Sequence, residues 1–462
     1  MKKYDIIIIG AGASGVFLSY ELTRINNRAK ILMLDTGSPL EGRICPIKAG
    51  KVDNCIKCAP CHIMSGYGGA GTLSDGKYNI TTQFGGDLHA YVGVDYAVEL
   101  MEYVDQVLCE MGGSEAKLYS TGNSELRTIA LQNNLKLLDA KVRHLGTDRN
   151  VVILGKIYDY TKERVEIKFR TTVEQVLHQD DGSFKIITNK GEEYECSDLV
   201  MGTGRSGSKW AAGVCDKLGI RQLSNRVDIG VRVELPAVIF KHITDDVYES
   251  KLVYKTDKYN DMVRTFCMNP YGEVVAENTN GIVTVNGHSY ADPSLRTENT
   301  NFALLVSNNF TEPFKDSNEY GESIARLSNM LGGGVLLQRF GDLIKGRRSS
   351  ERRMTKCFTR PTLKATPGDL SLVIPKRQLD NIIEMIYALD KIAPGTANED
   401  TLLYGVEVKF YNSKVEVDSN LETCVKNLYV LGDGSGVTHS LSQASASGVH
   451  VGRILAEKYK VD

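Results

Sequence analysis

An unbroken apolar run of isoleucines, Ile6 to Ile9, leads straight into Gly10-Ala11-Gly12-Ala13-Ser14-Gly15. Four β-branched residues in a row suit a strand buried on both faces, as at the centre of a parallel sheet. The G-x-G-x-x-G that follows has a mechanical reading. Gly10 permits a tight turn, Gly12 lets backbone approach a pyrophosphate, and Gly15 lets the next helix pack close to the strand. The helix, VFLSYELTRI, offers its N-terminal amides and positive dipole end to phosphate. A second apolar run, Ile31 to Leu34, ends in Asp35. An acid about 20 residues beyond the last glycine is placed to accept from ribose hydroxyls. Strand, turn, helix, strand and acid in this order predict a dinucleotide-binding βαβ unit with Ala13 and Ser14 also in its turn.

After Asp35 periodicity is lost. Residues 36–86 are rich in Gly, Cys and Pro, and a loop this long inside a domain is usually functional. It holds Cys45, Cys55, Cys58 and Cys61, spaced C-x9-C-x2-C-x2-C. Four thiolates so close suit one compact metal centre. A [4Fe–4S] cluster ranks first, because the C-x2-C-x2-C core and Cys45-Pro46 fit such sites. A structural Zn site or bare thiols rank second. A C-x-x-C redox disulfide ranks third. His62 adjoins the group as a candidate ligand or hydrogen-bond partner. The other six cysteines are scattered singly and read as small hydrophobes.

Tyr91 to Met111, Asn150 to Glu163 and Leu441 to Tyr459 read as helices, and LRTIALQNNLKLLDAKV as helical or mixed. Val165 to Phe169, Thr172 to Leu177, Phe184 to Asn189 and Glu192 to Cys196 read as strands, with a turn at Asp180-Asp181-Gly182. They lead into a second G-x-G-x-x-G, Gly202 to Gly207. No acid-ended strand follows it, so the preferred reading is a return to the first nucleotide domain, not a separate nicotinamide site. Asn427 onward reads as a further buried strand with a glycine turn at Gly432-Asp433.

With 462 residues the chain is long enough for two or three domains. A net charge of −2 favours neither nucleic acid nor an anionic membrane as partner. Lys2 and Lys3 precede an apolar stretch, but Asp5, the three glycines and the lack of a cleavage site argue against a secretion signal. The expectation is a cytoplasmic protein without membrane spans. His288 and His439 are candidate proton donors, since His titrates near neutrality. Arg347 and Arg348 read as a solvated face rather than a substrate clamp. Tyr271 and Tyr290 are candidate pocket residues.

The order of N-terminal fingerprint, MGTG and C-terminal Gly-Asp resembles the two-dinucleotide-fold flavoproteins typified by glutathione reductase. GGAGTLSDGK, VRHLGTD, GRSGSKW, DIGVRVE, FCMNPYGEVV, VNGHS and QRFGDL are similar to a bacterial family of FAD-dependent dehydrogenases across nearly the whole chain. This chain differs from that family at Gly434 to Ser440 and near Lys409 to Ser413. The resemblance implies an α/β fold, with a Rossmann-like FAD-binding domain of glutathione-reductase type and an inserted α+β substrate domain. It implies domains at 1–224, 225–400 (substrate or cap) and 401–462 (return to the FAD domain). It implies Asp433, after Gly432, at the ribityl-phosphate region of FAD, and backbone near Val173 at the adenine. Gly69, Ala70, Gly71, Ser74, Asp75 and Lys77 then lie where such flavoproteins bring backbone against the isoalloxazine. Lys77 is the candidate for stabilising the reduced ring. Gly202 and Gly204 join the FAD set.

The expectation is an FAD-dependent oxidoreductase passing hydride between FAD N5 and an unsaturated small organic molecule. Electrons would come through the cysteine centre, a ferredoxin-like donor or transient NAD(P)H. Its rivals are a folate-dependent RNA-methylating flavoprotein, disfavoured by the absence of a basic stripe, and a noncatalytic electron-transfer or redox-sensing flavoprotein.

Overall fold

The computed structural model describes all residues except 1, 47–48, 53–55, 57, 75, 123–124, 248, 280, 290–292, 311–315 and 462. The chain divides into two mixed α/β units. The first comprises Met1–Leu118, Ala140–Leu223 and Asn412–Asp462, and the second Tyr119–Asp139 and Ser224–Tyr411.

The first unit is built on Lys2–Ile9, whose Ile6, Ile7 and Ile8 are fully buried. This strand lies parallel to Ile31–Leu34 on one side and Glu193–Met201 on the other. Val165–Lys168 extends the sheet beyond Ile31–Leu34. Glu193–Met201 does two jobs. Its first half pairs antiparallel with Phe184–Thr188, and its end pairs parallel with Leu428–Val430. The second G-x-G-x-x-G therefore follows a strand of the first sheet and is not the opening of another nucleotide fold. Helices Ala13–Arg24 and Leu441–Lys458 pack so closely that a Cβ on Gly448 would lie 2.1 Å from the Ser14 carbonyl oxygen. The helix expected over 91–111 is divided at Gly93, whose φ of +88° ends His89–Val92 before Val94–Leu108 begins.

The second unit centres on an eight-stranded sheet. Its strands run, edge to edge, 366–367, 336–339, 402–409, 227–236, 299–308, 262–269, 252–255 and 135–137. Leu402–Lys409 pairs with Val227–Pro236, so the boundary expected at 400 moves to Tyr411. The segment 119–139, expected within the nucleotide domain, belongs here too, because Leu135–Leu137 pairs with Leu252–Tyr254. Val227, Ile229, Val231 and Val233 face an apolar core shared with Ile382, Ile386 and Leu389 of Lys376–Asp390. Among the described residues no helix is long and apolar enough to cross a membrane.

Candidate functional site

Three glycine turns meet at the carboxyl ends of parallel strands in the first unit. Such ends are where open α/β sheets bind ligands. Gly10 has φ +110°, and a Cβ there would sit 2.5 Å from the Gly202 carbonyl oxygen. The Gly202 amide donates to the Ile9 carbonyl at 2.9 Å, and the Gly434 amide to the Thr203 carbonyl at 2.7 Å. Buried Ser14 lies at the junction: Cβ atoms on Gly202 and Gly432 would approach its Oγ to 3.1 and 2.5 Å. Gly15 is equally locked, its Cβ position being 2.1 Å from the Gly10 oxygen.

Gly12 and Gly204 differ. A Cβ on Gly12 would meet only the Gly202 oxygen, at 3.9 Å, and one on Gly204 would meet nothing within 4 Å. Their lack of side chain thus leaves a space that the protein does not fill. Gly12 also caps Ala13–Arg24 with no side-chain acceptor and no acid in the first turn. Open glycine faces beside an uncapped helix N-terminus fit a diphosphate.

Asp35 fastens the turn. Its Oδ2 accepts from the Ala11 amide at 2.8 Å and its Oδ1 from the Gly37 amide at 2.7 Å. Burial raises the Asp35 carboxyl above its ordinary value, against the lowering effect of these amides and Arg43. A carboxylate has about four lone-pair sites, so the backbone amides of Ala11, Gly37 and Gly66 leave acceptor capacity for a hydroxyl donor. Gly68 donates to the Ala11 carbonyl at 2.7 Å, and a Cβ on Gly69 would touch Gly12 Cα at 3.0 Å. Gly69, Ala70 and Gly71 form a short 3-10 turn against the fingerprint. Ser74 closes that turn by donating to the Gly71 carbonyl at 2.6 Å. Asp75 lies outside the described residues. Lys77 starts the strand Lys77–Ile80, half-buried and opposite His144. Val173 is a buried core residue paired with Thr188.

Sequence reasoning missed two arginines. Arg43 is buried and donates to the carbonyls of His62, Ile63 and Tyr67 at 3.0, 2.6 and 2.7 Å, stapling the cysteine loop. Burial lowers its pKa to about 10. Arg205 Nε donates to Asp433 Oδ2 at 2.9 Å, while His439 Nδ1 sits 3.2 Å from Asp433 Oδ1. Each oxygen of the expected ribityl-contacting carboxylate is therefore engaged by a protein cation or imidazole. No local pattern marks residues 228 positions apart, so only the folded chain reveals this pair.

Burial works to raise the Asp433 carboxyl, but Arg205 and His439 outweigh it and hold it below the ordinary 3.8. A depressed folded value gives stability that is full above the unfolded pKa and lost as pH falls through the folded one. Asp433→Asn should accordingly lower the melting temperature at neutral pH. The gap to the parent should close in acid, below the ordinary carboxylate value. A gap constant across a pH series of thermal melts contradicts this account.

Cys45 and Cys58 are half-buried, Cys61 is exposed, and Cys55 lies outside the described residues. Among the described residues no three His, Cys, Asp or Glu side chains are gathered to hold a metal. His62 is engaged through its backbone oxygen by Arg43. His288, expected as a proton donor, belongs to the second unit, where it ends Ile282–His288 in an exposed position. Arg347 pairs with buried Asp342 at 2.8 Å, a structural role rather than a purely solvated one. Tyr271 is half-buried beneath Arg296, and Tyr290 lies outside the described residues.

Residues 227–410 match the family described as FAD-dependent protein, C-terminal domain-like. The match ends within three residues of the limits of the second unit's main segment, Ser224–Tyr411. No curated protein matches the chain. Similar solved structures include glycine oxidase from Geobacillus kaustophilus, 10% identical, covering 100% of this chain and 96% of that one at TM-score 0.41. A mutated E. coli quinol fumarate reductase FrdA is 14% identical, covering 99% and 71% at TM-score 0.44. L-proline dehydrogenase from P. horikoshii is 14% identical, covering 99% and 95% at TM-score 0.40.

Proposed function

We propose that the protein is an FAD-dependent oxidoreductase of the glutathione-reductase-like kind, acting on a small organic substrate. The observation that carries this reading is the pair of open glycine faces, Gly12 and Gly204, within an otherwise locked convergence of three glycine turns. The family match over 227–410 supports the choice of FAD over another dinucleotide. Bound FAD supplies reversible two-electron chemistry at N5. The chain's own residues divide the remaining work. Gly12 and the amides opening Ala13–Arg24 hold the diphosphate, Asp35 accepts from ribose, and Gly69 to Gly71 keep side chains away from the cofactor. Asp433 holds the His439 ring through Nδ1, and His439 is the proposed proton donor. Lys77 is proposed to supply positive charge.

The spacing of Cys45, Cys55, Cys58 and Cys61 supports a thiolate metal centre as a further part of this reading, [4Fe–4S] ahead of Zn. NAD(P)H or a ferredoxin-like protein is the proposed donor, in a reducing cytoplasmic compartment.

Purified protein is expected to be yellow and to release about one FAD per chain on denaturation. Colourless protein that also fails to take up added FAD overturns the reading. Iron and zinc analysis of anaerobically purified protein tests the cysteine centre separately. Iron near four per chain is expected, with a loss of most of it in Cys58→Ala; metal-free protein removes the centre but not the flavin.

A further inference from the structure

The second unit's main sheet has one face on the apolar core and another of different chemistry. Cross-strand partners share a face, and alternate residues take opposite faces. Opposite the core, one row across the strands reads Phe266, Ala303, Arg232, Tyr404. The next reads Arg264, Leu305, Gly230, Glu407, and the third begins Ser307, Asp228, Lys409. Gly230 and Ala303 are the smallest residues of their strands; fully buried Arg232 and Glu407 flank them, and Asn286 and Gly287 of Ile282–His288 pack over Arg232.

Three cations surround one ring. Lys251 Nζ lies 4.5 Å, Arg264 Cζ 4.9 Å and Lys409 Nζ 5.5 Å from the centre of Phe266. Side-chain exposures of 7%, 14% and 14% leave them little water. Three carboxylates, Glu249, Asp228 and Glu407, serve these three cations and the fully buried Arg232 as well. Lys251 has Glu249 at 2.8 Å and Arg264 has Asp228, which also accepts from Tyr411 at 2.7 Å. Glu407 is shared by Lys409 at 3.2 Å and Arg232 at 3.4 Å. Neither Glu407 oxygen nor Arg232 Nε forms a hydrogen bond, and buried Asn301 Nδ2 also has none. Arg226, over the Tyr411 ring at 5.1 Å, adds a further cation. Glu234 shares the face, but its oxygens are taken by Tyr404, Thr362 and Asn299. Clustered, poorly hydrated cations with shared counter-ions repel one another, and an entering oxyanion relieves that repulsion.

We infer that this face binds an oxyanion of the substrate, the carboxylate or phosphate of an acidic small molecule, between Arg264, Lys409 and Lys251 around Phe266. The assignment rests on the flavin-oxidoreductase reading for the word substrate, but the anion site stands on the second unit's residues alone. The ring gathers the cations, and the lysines supply point charges that tolerate either geometry.

The test is isothermal titration of the FAD-loaded protein with benzoate, succinate and inorganic phosphate, with benzamide as the uncharged control. Saturable binding of at least one anion is expected, weakened tenfold or more in Lys409→Gln and in Lys251→Gln while flavin content stays constant. Binding by the carboxylates alone assigns a carboxylic acid, and by phosphate alone a phosphoester. No anion binding, equal binding of benzamide and benzoate, or unchanged affinity in both variants overturns the site. Yellow, fully loaded protein that binds none of the three removes the anion site and leaves the flavin reading. Anion binding by protein unable to take up FAD does the reverse.

Discussion

Gly12→Val protein should fold like the parent and leave purification without flavin. Gly12 has φ −72° and ψ −176°, extended backbone that a β-branched residue adopts readily. The nearest atom to its missing Cβ is 3.9 Å away, so the added Cβ meets no protein wall. What the valine fills is the space proposed for the diphosphate. FAD affinity should fall on the order of 100-fold or more, equivalent to at least about 2.7 kcal/mol. Gly15→Ala makes the contrast. Its Cβ would be driven to 2.1 Å from the Gly10 oxygen, so it should lower the melting temperature of the flavin-free protein itself. The ratio of flavin to protein absorbance, with thermal melts by circular dichroism, separates the two effects. A yellow Gly12→Val protein contradicts the diphosphate assignment. A flavin-free Gly12→Val protein that also melts early shows that Gly12 serves folding instead.

The fingerprint was legible because its signal is local. An apolar run, three glycines and an acid lie within 35 residues, and each has one mechanical explanation. The return at Gly202 was legible for a related reason: an acid-ended strand was missing where a separate site would need one. What the sequence hid was tertiary. Leu402–Lys409 carries no local sign that it belongs beside Val227–Pro236, since only pairing across nearly 180 residues decides that. Ser14 reads as part of the nucleotide turn, but only the folded chain shows that the Gly202 and Gly432 turns close on it. Asp433 was marked by its Gly-Asp context, but its partner Arg205 sat inside the second glycine motif, where the glycines drew the reading. The cationic face was hidden for the same reason. Lys251, Arg264 and Lys409 come from three separate segments, and none stands out until Phe266 gathers them.

The largest stability effect is expected at Arg232, whose side chain and that of Glu407 are both fully buried. Removing one member of a buried ion pair leaves the other charge uncompensated and costs about 3–5 kcal/mol. Arg232→Met should show this loss, since Glu407 would keep only Lys409 at 3.2 Å. Adding Glu407→Leu should return part of the loss, because it removes the stranded carboxylate. Recovery cannot be complete. Arg232 also donates to the Cys267 carbonyl and to Asn286 Oδ1, each at 3.1 Å, and those acceptors stay unserved in the double variant. Lys409 is then left without Glu407, but at 14% exposure its long stem can carry the ammonium toward water. The coupling from a double-mutant cycle in urea unfolding should therefore favour the double variant by about 1–3 kcal/mol over the sum of the singles. Additive losses would mean that the two buried charges are stabilised by other neighbours and that the pair is not the unit holding this face together.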